Sequence, residues 1–131
     1  MIEVGAAVIE DERGYILIAR RKPGKPEEGL WEFPGGKLEA GETVQSCIKR
    51  ELQEEMNLDI EPGELLGTSI HTYGERTIRL HACMASYKGG EVQLADHDRY
   101  TWVARNELSM FNFAPADLKF VDMLTAGESP L

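Results

Sequence analysis

The sequence predicts an α/β fold in which a mixed β-sheet is sandwiched between helices (α/β/α), as a single domain spanning residues 1–131. The length suits one compact core rather than two. β-prone runs lie on both sides of one amphipathic helix, and a second helix follows near the C-terminus. The sequence shows no repeat, low-complexity segment or linker that would divide it.

The first part of the chain predicts two strands and a loop. Residues 2–9 are β-prone, and a turn over residues 11–14 leads into an alternating strand over residues 15–21, so we expect a hairpin. Residues 22–29 include two prolines and two glycines, which indicates a loop. The segment Pro34-Gly35-Gly36 then predicts a tight backbone feature.

The middle of the chain predicts a helix with a clear start. Thr43 is a good N-cap, and we predict that the helix runs from Val44 to about Asn57. A closing helix is expected over residues 115–126, with Pro115 in its first turn. Between the two helices, β-prone runs and glycine turns alternate, with runs at 64–73, 77–88 and 99–104 and turns at Gly74 and Gly89-Gly90.

The formal net charge of −9 argues against a sequence-independent nucleic-acid partner, which would need a cationic surface to neutralise phosphates. It allows a small phosphate-bearing substrate if divalent cations mediate the contact. No apolar run approaches the roughly 20 residues that span a bilayer, so we expect no membrane partner. Residues 1–9 do not resemble a signal peptide. Cys47 and Cys83 lack metal-type spacing, so we expect free thiols and a cytoplasmic location.

The predicted central helix carries carboxylates on the face that should be buried. At about 100° per residue, Glu51, Glu54 and Glu55 project onto the arc that is apolar two turns earlier. A solvated acidic face is the alternative interpretation. However, these carboxylates repel one another and lie near the helix C-terminus, where the helix dipole disfavours anions. A divalent cation would convert the repulsion into attraction, and clustered carboxylate oxygens suit Mg²⁺ or Mn²⁺.

The same residues resemble the Nudix box, whose pattern is G-x5-E-x7-R-E-U-x-E-E-x-G-U with U aliphatic. The match begins at Gly36, continues through Glu42 and runs over residues 50–58. Every specified position agrees except Asn57, where the family has glycine. Asparagine is the residue next best able to adopt the left-handed backbone that ends this helix, so the departure affects a cap rather than the chemistry.

The resemblance extends over nearly the whole chain and implies a Nudix fold for residues 1–131. Residues 33–37, the pair Arg20-Arg21 and the pair Asp96-His97 upstream of Trp102 are similar to the MutT branch of the family. Residues 113–117 resemble the CTP pyrophosphohydrolase group within that branch.

The resemblance implies a metal site with Mg²⁺, or Mn²⁺, as the cofactor. Glu51, Glu54 and Glu55 would bind the metal with the backbone carbonyl of Gly35. The catalytic base would be Glu51, Glu54 or a carboxylate outside the box. Asp96 matches the position where relatives supply a further carboxylate to the metal. Its alternative role is that of a turn residue before a strand.

Phosphate-binding and structural roles are also implied. Arg21 matches a position where relatives contact phosphate, and Lys37 would assist; a solvated strand end is the alternative for Arg21. Gly36 would allow a close backbone approach. Glu42 and Arg50 would form a salt bridge that braces the loop against the helix.

The residues expected to recognise the base are Asp117, Arg76 and Tyr73. An ionised Asp117 accepts hydrogen bonds only, which suits an exocyclic amine such as N4 of cytosine. The alternative is that Asp117 is an acid stabilising the first turn of the closing helix. Tyr73 and Arg76 lie on the strand pair where relatives contact the base.

These residues predict a metal-dependent pyrophosphohydrolase that converts a nucleoside triphosphate to a monophosphate and pyrophosphate. CTP, dCTP and modified cytidine nucleotides are the favoured substrates, and 8-oxo-dGTP is the alternative, which would make the protein a nucleotide-pool sanitation enzyme. An alternative of another class is a catalytically silent Nudix domain that senses a nucleotide. The expected assembly is a monomer or a homodimer.

Overall fold

A computed structural model describes residues 1–126 as a mixed β-sheet with helices on both faces, as predicted. Helix α1 (Val44–Met56) covers one face and helix α2 (Leu118–Thr125) covers the other. None of the helices within residues 1–126 is long and apolar enough to cross a membrane. The strands are β1 (Ile2–Glu10), β2 (Ile16–Arg21), β3 (Trp31–Glu32), β4 (Gly35–Lys37), β5 (Asp59–Tyr73), β6 (Arg76–Gly89) and β7 (His97–Val103).

Strand β1 lies at the centre of the sheet. The order is β3-β2-β1-β6-β5, with β4 paired to β1 and β7 paired to β2. Strand β1 runs parallel to β6 and antiparallel to β4. Its side chains alternate between the two faces, as a two-residue period requires. Ala6 and Val8 join the core under α2, whereas Ala7 and Ile9 join the core under α1.

Helix α1 has the ends that the sequence predicts. The Thr43 hydroxyl accepts the Ser46 backbone N–H at 3.0 Å, and the Ser46 hydroxyl accepts the Thr43 N–H at 3.0 Å, which forms a reciprocal cap. At the other end Asn57 adopts φ 58° and ψ 34°, so asparagine takes the left-handed position expected of the family glycine. The helix therefore ends at Met56, one residue before the predicted limit.

Several boundaries differ from the prediction. Strand β5 begins at Asp59 rather than residue 64, because the pairing with β6 passes through register shifts around Pro62 and Leu65 that break its alternation. The closing helix begins at Leu118, since Pro115–Asp117 form a 3₁₀ turn. A second 3₁₀ helix, Arg105–Met110, was not predicted. The expected β1–β2 hairpin pairs only through Glu10 and Ile16.

Candidate active site

A cavity of about 760 Å³ opens beside the centre of the sheet. Strands β1, β4 and β6 contribute to its wall, together with helix α1, the loop after β2 and the 3₁₀ turn before α2. Eight of the predicted site residues line it, namely Arg21, Gly35, Lys37, Glu51, Glu55, Tyr73, Arg76 and Asp117, and the structural residue Gly36 lines it as well. The fold thus gathers residues from distant parts of the sequence around one cavity.

Three carboxyl groups meet at the helix α1 side of the cavity. Glu55 lies close to both Glu51 and Asp96, although Asp96 lies at the end of the loop before β7. Burial, followed by these contacts and the charges of the same two neighbours, raises the pKa of Glu55 to about 8. The pKa of Asp96 is lowered, first by Lys25, whose ammonium lies 3.0 Å from Oδ1. The cluster therefore favours a positive counter-charge.

The structure corrects the expected position of Glu54. Its side chain is 60% exposed, and Glu54 is absent from the cavity lining, whereas the Glu51 side chain is only 12% exposed. Glu54 lies on the edge of the helical arc, about 80° from its centre, so the last turn carries it to the surface. Arg50 contacts the Glu54 carboxylate at 3.3 Å and the Glu51 carboxylate at 3.0 Å. The two carboxylates therefore remain neighbours through a shared guanidinium.

Glu42 and Arg50 form a bidentate contact between the loop and helix α1. The Arg50 Nε and Nη2 atoms donate to Glu42 at 2.8 and 2.9 Å, and Nη2 also donates to the backbone carbonyl of Lys37. These hydrogen bonds lower the pKa of Glu42 to about 2. Neither residue lines the cavity. The arrangement fixes the loop and one oxygen of Glu51 at the same time.

Cationic side chains lie at several positions around the cavity. Arg21 is half-buried, with Nε donating to the carbonyl of Pro26 and Nη1 3.5 Å from Glu32. Lys37 is exposed and makes no ion pair within residues 1–126. Lys25, which the sequence argument did not select, lines the cavity from the loop after β2. Only its position in the folded loop reveals this, since isolated lysines in loops are usually solvated.

Asp117 is buried in the same cavity wall, with 4% of the residue exposed. Its Oδ1 accepts the Phe33 backbone N–H at 3.2 Å, and the side chain makes no capping hydrogen bond to α2, although Asp117 occupies the N-cap position. Burial, followed by the charge of Glu32, raises its pKa well above the usual range. An ionised Asp117 was expected from the sequence, whereas the withdrawal of this carboxyl from water beside another acid favours its protonated form.

Tyr73 and Arg76 frame the same region from the β5–β6 turn. The centroid of the Tyr73 ring lies 4.5 Å from that of the His71 ring. Burial raises the pKa of Tyr73. Arg76 is exposed at the cavity rim.

Two further residues were missed by the sequence argument. Glu32 lines the cavity. In the sequence it lies between Trp31 and Phe33, and an acidic residue within this apolar segment was the available signal. His97 begins strand β7, its side chain is 1% exposed, and its Nε2 lies 2.8 Å from Glu32 Oε2. Strand β7 places His97 opposite Arg21 of β2, next to a register shift between Arg20 and Arg21.

The donor chemistry fits a divalent cation, although the carboxylates are held by other partners. Within residues 1–126 no three His, Cys, Asp or Glu side chains are already arranged to hold a metal ion. Arg50 holds Glu51 and Lys25 holds Asp96, so small side-chain rotations would be needed. Hard oxygen donors suit a magnesium-like cation. Binding of the cation would displace the proton that the raised pKa of Glu55 favours.

Comparisons with known proteins agree with the fold. The NUDIX domain model matches residues 1–124. The CTP pyrophosphohydrolase of Escherichia coli is 36% identical over 126 residues, covering 96% of this chain and 93% of its own. The 8-oxo-dGTP diphosphatase of Haemophilus influenzae is 32% identical, covering 95% and 91%. The crystal structure of a MutT protein from Methanosarcina mazei superposes with a TM-score of 0.85 at 25% identity, covering 98% and 95%.

The chain belongs to the Nudix hydrolase family. It is an enzyme that acts on phosphoric anhydride bonds, and its structural neighbours are MutT proteins. Nudix hydrolases generally depend on a divalent metal and act on small nucleotide substrates.

Proposed function

We propose that this enzyme hydrolyses nucleoside triphosphates to monophosphate and pyrophosphate with Mg²⁺ or Mn²⁺, and that cytosine nucleotides are its favoured substrates. The observation that carries this proposal is the pair of carboxyl groups, Asp117 and Glu32, in the same cavity as the box carboxylates. The relative named as a CTP pyrophosphohydrolase supports it. The free thiols of Cys47 and Cys83 are consistent with a cytoplasmic enzyme.

The cavity pairs anionic and cationic groups in the way that phosphoryl transfer requires. Glu51, Glu55 and Asp96 would hold the cation, with Glu54 and the Gly35 carbonyl completing the site. When bound, such a cation neutralises charge on the phosphate oxygens and lowers the pKa of water. Arg21 and Lys37, with cationic groups at the cavity wall, would bind the phosphate chain.

Glu51 is the favoured general base. It lines the cavity, whereas Glu54 does not, and Arg50 holds its Oε1 at 3.0 Å. Oε2 then remains to take a proton from water as the water oxygen bonds to phosphorus and the anhydride P–O bond breaks. Hydrolysis in oxygen-18 water identifies the phosphorus attacked: label in the monophosphate indicates the α-phosphorus, and label in pyrophosphate indicates the β-phosphorus.

Asp117 and Glu32 match the edge of cytosine better when Asp117 is neutral. A carboxylic acid donates its proton, so Asp117 would donate to N3 of cytosine, and the N4 amine would donate to the Glu32 carboxylate. Uracil has the same shape, but it carries an acceptor where cytosine has the N4 amine and a donor where cytosine has the N3 acceptor. Cytosine is therefore favoured over uracil by two hydrogen bonds.

The test is a panel of common nucleoside triphosphates, 5-methyl-dCTP and 8-oxo-dGTP, with magnesium, scored for monophosphate and pyrophosphate. Preference for cytosine nucleotides supports the proposal. Preference for 8-oxo-dGTP would keep the chemistry and overturn the base assignment, an alternative favoured by the relative named as an 8-oxo-dGTP diphosphatase. No turnover of any triphosphate would favour the catalytically silent sensor. The complete set of box carboxylates argues against that alternative.

A further inference from the structure

The buried histidine of β7 contacts the cavity only through another residue. The His97 side chain is 1% exposed and does not line the cavity, but Nε2 lies 2.8 Å from Glu32 Oε2. Arg21 Nη1 lies 3.5 Å from the same oxygen. Both contacts therefore fall on Oε2, and within residues 1–126 no hydrogen bond is made by Glu32 Oε1.

The other ring nitrogen determines which tautomer His97 adopts. His97 Nδ1 is the one buried side-chain nitrogen or oxygen atom in residues 1–126 without a hydrogen-bond partner. If Nδ1 carried a proton, the fold would bury an unsatisfied N–H donor, which is more costly than a bare lone pair beside apolar atoms. The proton therefore belongs on Nε2, which then donates to the Glu32 carboxylate.

We propose that His97 is a positioning residue for base recognition: it holds Glu32 Oε2 from within the protein, so that Oε1 faces the cavity beside Asp117. This inference rests on the proposed function, because it assigns His97 to the base-binding part of that site. Stability alone does not require a histidine here, since a residue without an unpaired nitrogen would fill the same space. A fixed acceptor improves recognition because less side-chain freedom is lost when the base binds.

Two substitutions separate the hydrogen bond from the bulk of the side chain. The amide nitrogen of His97→Gln lies near the place of Nε2 and can donate to Glu32, whereas that of His97→Asn lies near the place of Nδ1 and cannot. We expect His97→Asn to raise KM for the preferred triphosphate about tenfold, the scale of a lost hydrogen bond to a charged group. Its kcat should stay within about threefold, and His97→Gln should restore KM to within about twofold.

A double-mutant cycle tests whether His97 acts through Glu32. In the Glu32→Gln background, His97→Asn should produce no further rise in KM, because the acceptor it positions has already changed. Equal KM effects of His97→Asn and His97→Gln, additive effects in the cycle, or a fall in kcat without a rise in KM would overturn the proposal. Melting temperature and Mn²⁺ affinity, measured by electron paramagnetic resonance, control for unfolding and for disturbance of the neighbouring Asp96.

The resting protein provides a readout that does not need turnover. Two-bond ¹H–¹⁵N correlation spectra of histidine-labelled enzyme should show His97 as the Nε2–H tautomer, and an Nδ1–H tautomer would overturn the inference. If the substrate panel shows a preference for a base other than cytosine, the base assignment fails. The KM comparison is then made with the preferred triphosphate, and it still decides the role of His97. If no triphosphate is hydrolysed, the tautomer and calorimetric binding of CMP to wild type, His97→Asn and His97→Gln decide it.

Discussion

The carboxylate of Glu51 lies directly against the backbone of Gly36. A β-carbon added to Gly36 would come within 2.3 Å of Glu51 Cδ and within 2.6 Å of both carboxylate oxygens. A β-carbon at the preceding Gly35 would instead come within 1.8 Å of the Gly5 carbonyl oxygen, because β4 pairs with β1 at this point. The two adjacent glycines therefore serve different purposes: Gly36 leaves room for a side chain of the site, and Gly35 leaves room for the sheet.

Alanine at these two positions should therefore separate activity from stability. Gly36→Ala displaces the end of a flexible side chain, so we expect a folded protein with kcat reduced about 100-fold by the displaced Glu51. Gly35→Ala collides with rigid backbone and should lower the free energy of unfolding by about 3 kcal/mol. Circular dichroism melting and steady-state kinetics measure both. Similar melting temperatures for the two variants would show that the sheet tolerates the added methyl group and would contradict the assignment.

Replacement of Glu54 tests whether an exposed carboxylate belongs to the metal site. We expect Glu54→Gln to lower kcat at saturating magnesium at least about 100-fold, because the exposed side chain would turn toward the cation that Glu51 and Glu55 hold. Glu61→Gln is the matched control, since Glu61 is an exposed glutamate paired only with Lys88. If Glu54→Gln retains nearly full hydrolysis, Glu54 is neither a ligand nor a base.

The protonation state of Asp117 predicts the effect of two substitutions on base choice. If Asp117 is neutral, Asp117→Asn keeps one donor and one acceptor, so kcat/KM for dCTP should stay within about threefold of wild type. Asp117→Ala removes both and should reduce kcat/KM about 10- to 100-fold. An ionised Asp117 predicts a large loss for Asp117→Asn as well. Steady-state kinetics with dCTP and dUTP at neutral pH distinguish the two states.

The same carboxyl predicts a pH dependence of stability. Because the folded-state pKa of Asp117 is raised, the folded protein binds more protons than the unfolded chain above the usual aspartate pKa, so rising pH destabilises the fold through this group. Asp117→Asn removes the effect. In urea unfolding, the variant should gain stability relative to wild type as pH rises from about 4 toward neutrality. A constant difference at all pH values would show that Asp117 does not hold a proton in the fold.

Glu42 should show the opposite sign. Its folded-state pKa is lowered from 4.5 to about 2, so its contribution is fully present above the unfolded value and is lost as pH falls from 4.5 to about 2. Glu42→Gln should therefore be less stable than wild type near neutral pH, and the difference should shrink over that acid range. Glu39→Gln is the control, because the exposed Glu39 lies 3.7 Å from the same Arg50. Equal acid profiles for both variants would contradict a specific role for Glu42.

Features that depend on local spacing could be predicted from the amino-acid sequence. The Thr43 cap, the left-handed Asn57 and the i, i+3 and i+4 spacing of the acidic residues follow from helix geometry, which is set by neighbouring residues. The β-prone run over residues 2–9 similarly predicts a strand, and its side chains enter the cores on both faces of the sheet. The Nudix box identified the family from these local patterns and their fixed distances along the chain.

The withdrawal of charged groups from water, and the groups that they then contact, depend on how distant segments pack together. Glu55 and Asp96 come together through the packing of α1 beside the loop before β7, and His97 reaches Glu32 across 65 residues of sequence. Glu54, one residue from Glu55, remains exposed. The pKa and hydrogen-bonding role of a carboxyl group depend on burial and on the charges around it, and both are set by contacts between distant segments. The buried surroundings of Asp117, which favour its protonated form, were therefore beyond the reach of the sequence pattern.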